Sequence, residues 1–268
     1  MASDTLSGAQ RQPIRAGLSS RNDRVALTPC DCTSSGCLVY ELDLCVGMRK
    51  KATSGPDWSI DVSRFTSSST HTIPARRTII HPKESSEFVL IICHGWAMRS
   101  IIAPDGHRQI LSFLLPGNLI STASLFEPMS GHFVETATEV TYRKFKQSDL
   151  KPALFECPAL LEKLSVAWID ERAQADQLAL NLSNRSGDKR IAWLILNLAK
   201  RLAEHGMVTG QKMDFPLRQR HVAYATGLTP DHVGKALGGF QRAGLIEISD
   251  RSLTIIDEMN LRRAAGLQ

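Results

Sequence analysis

The sequence predicts an α+β chain: a strand-rich N-terminal half, one long central helix and a helical C-terminal domain closed by a β-hairpin. Three observations predict this. Short apolar runs punctuated by turn residues lie between about 72 and 150, a heptad-like stretch runs over 157–183, and a two-helix spacing with two β-like runs follows over 214–256. The chain has 268 residues, which at roughly 100 to 200 residues per domain suggests two domains. Apolar residues at 43% and charged residues at 22% are ordinary for a soluble protein. No run approaches the ~20 apolar residues of a bilayer span. The first residues, MASDTLSGAQRQPIRAGLSSRNDR, lack an apolar leader core, so the cytoplasm is the expected location and no membrane partner is expected.

Residues 1–70 read as a flexible, cysteine-containing region: the first 28 are polar and aperiodic, and 50–70 are rich in serine and threonine. Strands begin after it. Residues 88–93 form an apolar run, 95–102 alternate loosely, Pro104-Asp105-Gly106 is a turn, 108–115 form another strand before Pro116-Gly117, and 134–145 continue the pattern. Residues 71–156 are therefore expected to form a small β-barrel or sandwich.

Residues 157–184 are expected to be a dimerisation helix. Leu161, Trp168, Ala175 and Leu182 fall on one heptad track, and Leu164, Glu171 and Leu178 on another. The 22 residues from Leu161 to Leu182 span roughly 33 Å as a helix, enough to join two subunits. A helix packed on its own domain is the alternative, and Glu171 then needs solvent, a partner or a proton.

Residues 185–268 are expected to form the C-terminal domain. Asn184-Arg185-Ser186-Gly187 breaks the long helix, and Ile191, Leu194, Ile195, Leu198 and Leu202 recur at helical spacing up to His205-Gly206. Ala223, Gly227 and Val233 then stand where a helix-turn-helix needs a small residue at the contact, a left-handed turn and a branched plug. Thr229 is placed to cap the second helix, with Pro230 at its first position, and counts among the candidate DNA-binding residues. Asp231, His232, Gly234 and Lys235 on that helix are the candidates for the DNA major groove, and Arg218, Arg220 and Arg242 for phosphates. The runs 245–248 and 253–256 read as a wing with Arg251 at its tip. From Arg190 onward there are eleven Lys/Arg and seven Asp/Glu, so +4 of the net +5 lies at this end, as a phosphate-binding surface requires. Paired catalytic carboxylates, nucleophile–base arrangements and a phosphate loop are missing from the sequence, so an enzyme is not expected.

These segments resemble the Crp/Fnr superfamily of bacterial regulators. GWAMRSIIAPDGHRQILSFLLPGNLI (95–120) is similar to its β-roll, the cyclic-nucleotide-binding-like jelly roll. RIAWLILNLAKRL (190–202) is similar to the helix that opens its DNA domain, and GLTPDHVGKALGGFQRAGLI (227–246) to its recognition helix and first wing strand. The resemblance implies a sensory β-roll and a homodimer on palindromic double-stranded promoter DNA, with RNA polymerase as a further partner. It also exposes departures. The loop GNLISTASLF (117–126) and the following EPMSGHFVE (127–135) lack the arginine and glutamate that hold a cyclic nucleotide, which argues against cyclic AMP. Where related members read DNA with Glu, Ser and Arg, this chain has Asp231, Gly234 and Lys235.

Six cysteines occur, four of them within sixteen residues. PCDCTSSGC (29–37) resembles the N-terminal cluster of oxygen-sensing Fnr proteins. Cys30, Cys32, Cys37 and Cys45 thus become candidate thiolate ligands of an iron-sulfur centre or zinc; Thr141 stands where Fnr-type proteins take their fourth ligand, so Cys45 has to replace it. An ancestral cluster that binds nothing is the competing reading. Cys93 and Cys157 read as structural. His94, His107 and His132 raise a haem-responsive alternative within the same fold, and a constitutive regulator or a ligand-binding β-barrel without DNA function are further alternatives.

Overall fold

The computed structural model describes residues 69–127, 129–156 and 158–267; Cys30, Cys32, Cys37 and Cys45 lie outside the described residues. Seven strands build the N-terminal domain: β1 (Ser69–Ile73), β2 (Thr78–Ile80), β3 (Phe88–His94), β4 (Ala97–Ile102), β5 (Arg108–Leu114), β6 (Phe133–Thr136) and β7 (Val140–Lys146). They form two antiparallel sheets, ordered β1-β7-β3 and β2-β6-β4-β5. Alternation sorts the side chains. Leu90, Ile92, Ala97, Leu114, Val134 and Tyr142 fill the space between the sheets, while Trp96, Met98, Ile110 and Phe113 join a different core.

Helix α1 (Gln147–Glu156) departs from the strand pattern expected to run to about 150. Its buried residues, Leu150, Ala153 and Leu154, follow helical rather than alternating spacing, and Pro152 within it obscured that period. The long helix α2 (Pro158–Asn184) is present as one element. It is followed by α3 (Gly187–Glu204), whose Ile191, Ala192, Leu194, Ile195, Leu198 and Leu202 are all buried. Two short strands not expected from sequence, β8 (Val208–Thr209) and β9 (Lys212–Asp214), join the wing strands β10 (Ile246–Ser249) and β11 (Ser252–Ile255) in a sheet ordered β10-β11-β9-β8. Between them lie α4 (Gln219–Thr226) and α5 (Pro230–Arg242), and α6 (Glu258–Ala264) closes the chain. α6 also escapes the sequence reading: at seven residues it is too short to display a period, although Asp257 caps it by accepting the Asn260 N–H at 2.9 Å.

One apolar core runs from the outer face of β4 and β5 through α3 into α4 and α5. Polar links reinforce it: the Arg201 Nη2 donates to the Phe113 carbonyl at 2.7 Å and to Asn118 Oδ1 at 3.1 Å. Burial lowers the Arg201 pKa to about 10, the leading effect on a group that also feels Glu204 and Arg99. It therefore stays cationic at neutral pH.

The two heptad tracks of α2 part company. Leu164 is buried within its own chain, and Glu171 pairs with Arg99 of β4, so that track turns toward the β-roll. Leu161, Trp168 and Ala175 are exposed and Leu182 half-buried; Trp168 stacks on Phe126 of its own chain at 5.4 Å. Glu171 thus has its partner, and the long helix is tethered to the β-roll by charge.

Arg99 is only 7% exposed, so removing its counter-charge alone is costly. Glu171→Leu should lower stability by about 3 kcal/mol in urea unfolding, and the double variant Arg99→Met/Glu171→Leu should recover most of that loss. Equal destabilisation by the single and double variants would show that the pair does not tie helix to β-roll.

Candidate nucleic-acid interface

The interface is built on the α4–α5 corner. Ala223 (1% exposed) and Val233 (0%) are buried where the helices meet. Gly227 ends α4 at φ 66, ψ 37, the left-handed region that glycine enters at no steric cost. A Cβ there would also stand 3.4 Å from Leu182 Cδ2. The Leu228 N–H then returns to the Ala223 carbonyl at 3.1 Å. Thr229 caps α5, its hydroxyl accepting the His232 N–H at 3.3 Å, with Pro230 next in line.

The exposed side of α5 carries the expected readers, in different states. Asp231 and Lys235 face solvent and pair at 2.8 Å; the hydrogen bond and charge of Asp231 raise the Lys235 pKa. Each occupies the other before DNA arrives. His232 is engaged inside the domain, its Nε2 lying 3.0 Å from Asp188 Oδ1 in the first turn of α3. Gly234 leaves a gap, and a Cβ built there would lie 3.1 Å from Gln219 Nε2. The Gln219 carboxamide, at the first position of α4, covers the place a side chain at 234 would take. Gln219 went unremarked in the sequence because its relevance depends on the crossing of two helices.

Arg218, Arg220, Arg242 and Arg251 are all exposed. The wing turn joins Ser249 to Ser252 through Asp250 (φ 46) and Arg251 (φ 61), the two-residue mirror-image turn that suits a twisted hairpin. The Arg251 carbonyl accepts the Phe215 N–H at 2.6 Å, holding the tip against the segment that leads into α4. The Arg218 pKa is lowered first by Arg76 and also by burial, Arg220 and Arg251, so Arg76, Arg218, Arg220 and Arg251 share one positive field. Arg76 comes from the β1–β2 turn, far from the DNA domain in sequence, and no local pattern marks it.

His221 sits within this field. Its Nδ1 lies 3.3 Å from the Arg218 N–H and its Nε2 3.3 Å from Arg220 Nε; a neutral ring has one acceptor and takes one of these bonds at a time. Burial, followed by Arg220, Arg218 and Arg76, lowers its pKa to about 4.

The remaining expected site residues are elsewhere. Leu178 of α2 is half-buried beside Gln174 and Asn181 in a small cleft against α3. His94 and His107 are exposed, His107 lies 3.2 Å from Asp105, and His132 has its pKa lowered by burial and by Arg99. Among the described residues, no three His, Cys, Asp or Glu side chains are grouped to hold a metal ion.

Two family profiles match: the cyclic nucleotide-binding domain over residues 70–156 and the Crp-like helix-turn-helix domain over residues 189–264. The chain belongs to the Crp/Fnr superfamily of transcription regulators. It is a DNA-binding regulator rather than an enzyme. Similar proteins include the transcriptional activator protein FnrA of Stutzerimonas stutzeri, 28% identical over 174 residues that cover 63% of this chain and 70% of FnrA. The nitrogen fixation regulation protein FixK of Bradyrhizobium diazoefficiens is 27% identical over 169 residues, covering 62% of this chain and 68% of FixK. Among solved structures, FixK2 from Bradyrhizobium japonicum superposes with a TM-score of 0.66 at 22% identity, over 74% of this chain and 96% of FixK2. A CooA mutant from Carboxydothermus hydrogenoformans gives 0.65 at 16%, over 88% and 99%.

Two expectations follow for this Crp/Fnr regulator. The unfolded chain protonates His221 near 6.5 and the folded chain near 4, so its contribution to stability is complete above about 6.5 and is lost as pH falls toward 4. A thermal-denaturation series should show His221→Gln less sensitive than the parent across that window; parallel curves would place the titration elsewhere. Arg251→Gly should relieve a left-handed arginine and raise stability by about 1 kcal/mol while weakening duplex binding. A gain or loss of both together would separate Arg251 from the DNA surface.

Proposed function

We propose that two copies of this chain bind a palindromic promoter duplex, with α5 of each in a major groove and the wing on the neighbouring phosphates. The observation that carries this is the arrangement at the α4–α5 corner: a solvent-facing α5 flanked by Arg218, Arg220, Arg242 and Arg251, on a fold whose helix-turn-helix profile matches the family. The arginines position the duplex without reading it, while Lys235, Asp231 and the carboxamide of Gln219 reach toward bases. Glutamine pairs with adenine in the major groove, which suits its place over Gly234.

Dimerisation is supported by the outward face of α2, where Leu161 (48% exposed), Trp168 (48%) and Ile169 (66%) stay largely open to solvent among the described residues. RNA polymerase is the expected partner once DNA is bound, and the cytoplasm the expected location; among the described residues no helix is long and apolar enough to cross a membrane.

A β-roll that does not answer to a cyclic phosphate is supported by the ion pairing at its mouth. A cavity of about 560 Å³ opens there between β4, β5, α2 and α3, and its guanidinium from the β-roll, Arg99, is already neutralised by Glu171. This favours a regulator whose helix is held by an internal ion pair rather than by cyclic AMP. A redox input through Cys30, Cys32, Cys37 and Cys45 is supported by their clustering within sixteen residues and by relatives named "Anaerobic regulatory protein". Anaerobic purification with an absorption spectrum and iron and zinc analysis tests it, and a colourless, metal-free protein would remove it.

For DNA binding, the parent should select a two-fold symmetric site from a random duplex pool, with affinity falling steeply as salt rises. Arg242→Ala should weaken binding evenly across sequences and reduce the salt slope by about one, whereas Gln219→Ala should relax one base position in each half-site. Failure to bind any duplex at low salt would overturn the reading.

A further inference from the structure

A second cavity, of about 310 Å³, lies between the β-roll and the helix-turn-helix. Arg76, Ser100, Arg108, Glu135 and Thr136 line it from the β-roll, with Met98 and Ile110 as apolar wall; Arg220, His221 and Tyr224 line it from α4. Its charge is unbalanced. Glu135 is the carboxylate among these residues, and it is taken by an ion pair with Arg108. Arg76 and Arg220 have no acidic partner among the described residues, and after burial, the leading cause, both add to the field that lowers the His221 pKa. Ser100, 1% exposed, has its hydroxyl buried with no hydrogen-bond partner.

A buried hydroxyl without a partner is costly, by about 1 to 3 kcal/mol, and like charges that converge on a cavity call for an anion. Guanidinium forks match the paired oxygens of a phosphate better than a single-atom anion. The volume is near the lower end of ligand pockets, which run from about 300 to 1,000 Å³.

We propose that this cleft binds a small phosphomonoester, its phosphate held between Arg76 of the β-roll and Arg220 of α4 with the Ser100 hydroxyl as a further donor. The organic part lies against Met98, Ile110 and Tyr224. Because the phosphate bridges the two domains, the bound molecule fixes the helix-turn-helix against the β-roll. It also supplies the negative charge that His221 lacks, so the imidazole pKa rises on binding.

Glycerol 3-phosphate is a suitable probe, titrated into the full chain without DNA at constant ionic strength, with glycerol and chloride as the control. The parent should show saturable binding by calorimetry, a rise in melting temperature, and an upward move of the His221 titration followed by NMR. Arg76→Met, at an exposed position, and Ser100→Ala, a conservative change, should each weaken binding about tenfold, the loss of one charge-assisted or buried hydrogen bond. Binding that is unchanged in both variants, or no response beyond the chloride control, would overturn the proposal. Duplex binding is measured separately: a chain that binds DNA but ignores glycerol 3-phosphate refutes the cleft alone, and one that binds glycerol 3-phosphate but no duplex refutes the DNA reading alone.

Discussion

The apolar core centred on α3 is the constraint on which the rest of this molecule depends. Ile191, Ile195, Leu198 and Leu202 are buried toward α4 and α5 on one side, and Trp96, Met98, Ile110 and Phe113 of the β-roll belong to the same cluster. The DNA domain therefore does not hang from the β-roll on a linker; the two share interior. Arg201 adds direction to that contact by donating to the Phe113 carbonyl and to Asn118. Burying apolar surface is non-directional, so the polar links decide which relative placement of the two surfaces is unique.

That shared interior explains where the charges go. Arg76 enters the field of Arg218 and Arg220 only because the β1–β2 turn is brought beside the start of α4. Glu171 meets Arg99 only because α2 crosses the mouth of the β-roll. In both cases a residue with an ordinary local context acquires a role from the packing of distant segments. The first produces a concentrated positive surface next to α5, and the second ties α2 to the β-roll.

At the recognition surface the departures of the sequence are compensated by neighbours. Gly234 offers no side chain, and Gln219 of α4 lies over it. Asp231 and Lys235 satisfy each other across one helical turn, a pairing of small energetic value at such exposure. The wing tip accepts two left-handed non-glycine residues, a local strain consistent with keeping an arginine at the tip.

How much was legible depends on the range of the interactions. The helix-turn-helix could be read from Ala223, Gly227, Thr229, Pro230 and Val233, since each obeys a rule a few residues long: a small contact, a left-handed turn, a cap, a fixed φ, a buried plug. Strands β3 to β5 and helices α2 and α3 were legible for the same reason, as periodicity is local. Helix α1 and α6 were not, one masked by Pro152 and the other too short to show a period. The engagement of His232 by Asp188, the cover that Gln219 gives Gly234, the division of the α2 tracks and the cleft of Arg76, Ser100 and Arg220 were decided by tertiary structure. Each joins side chains far apart along the chain or on separate elements, and no sequence spacing encodes their approach.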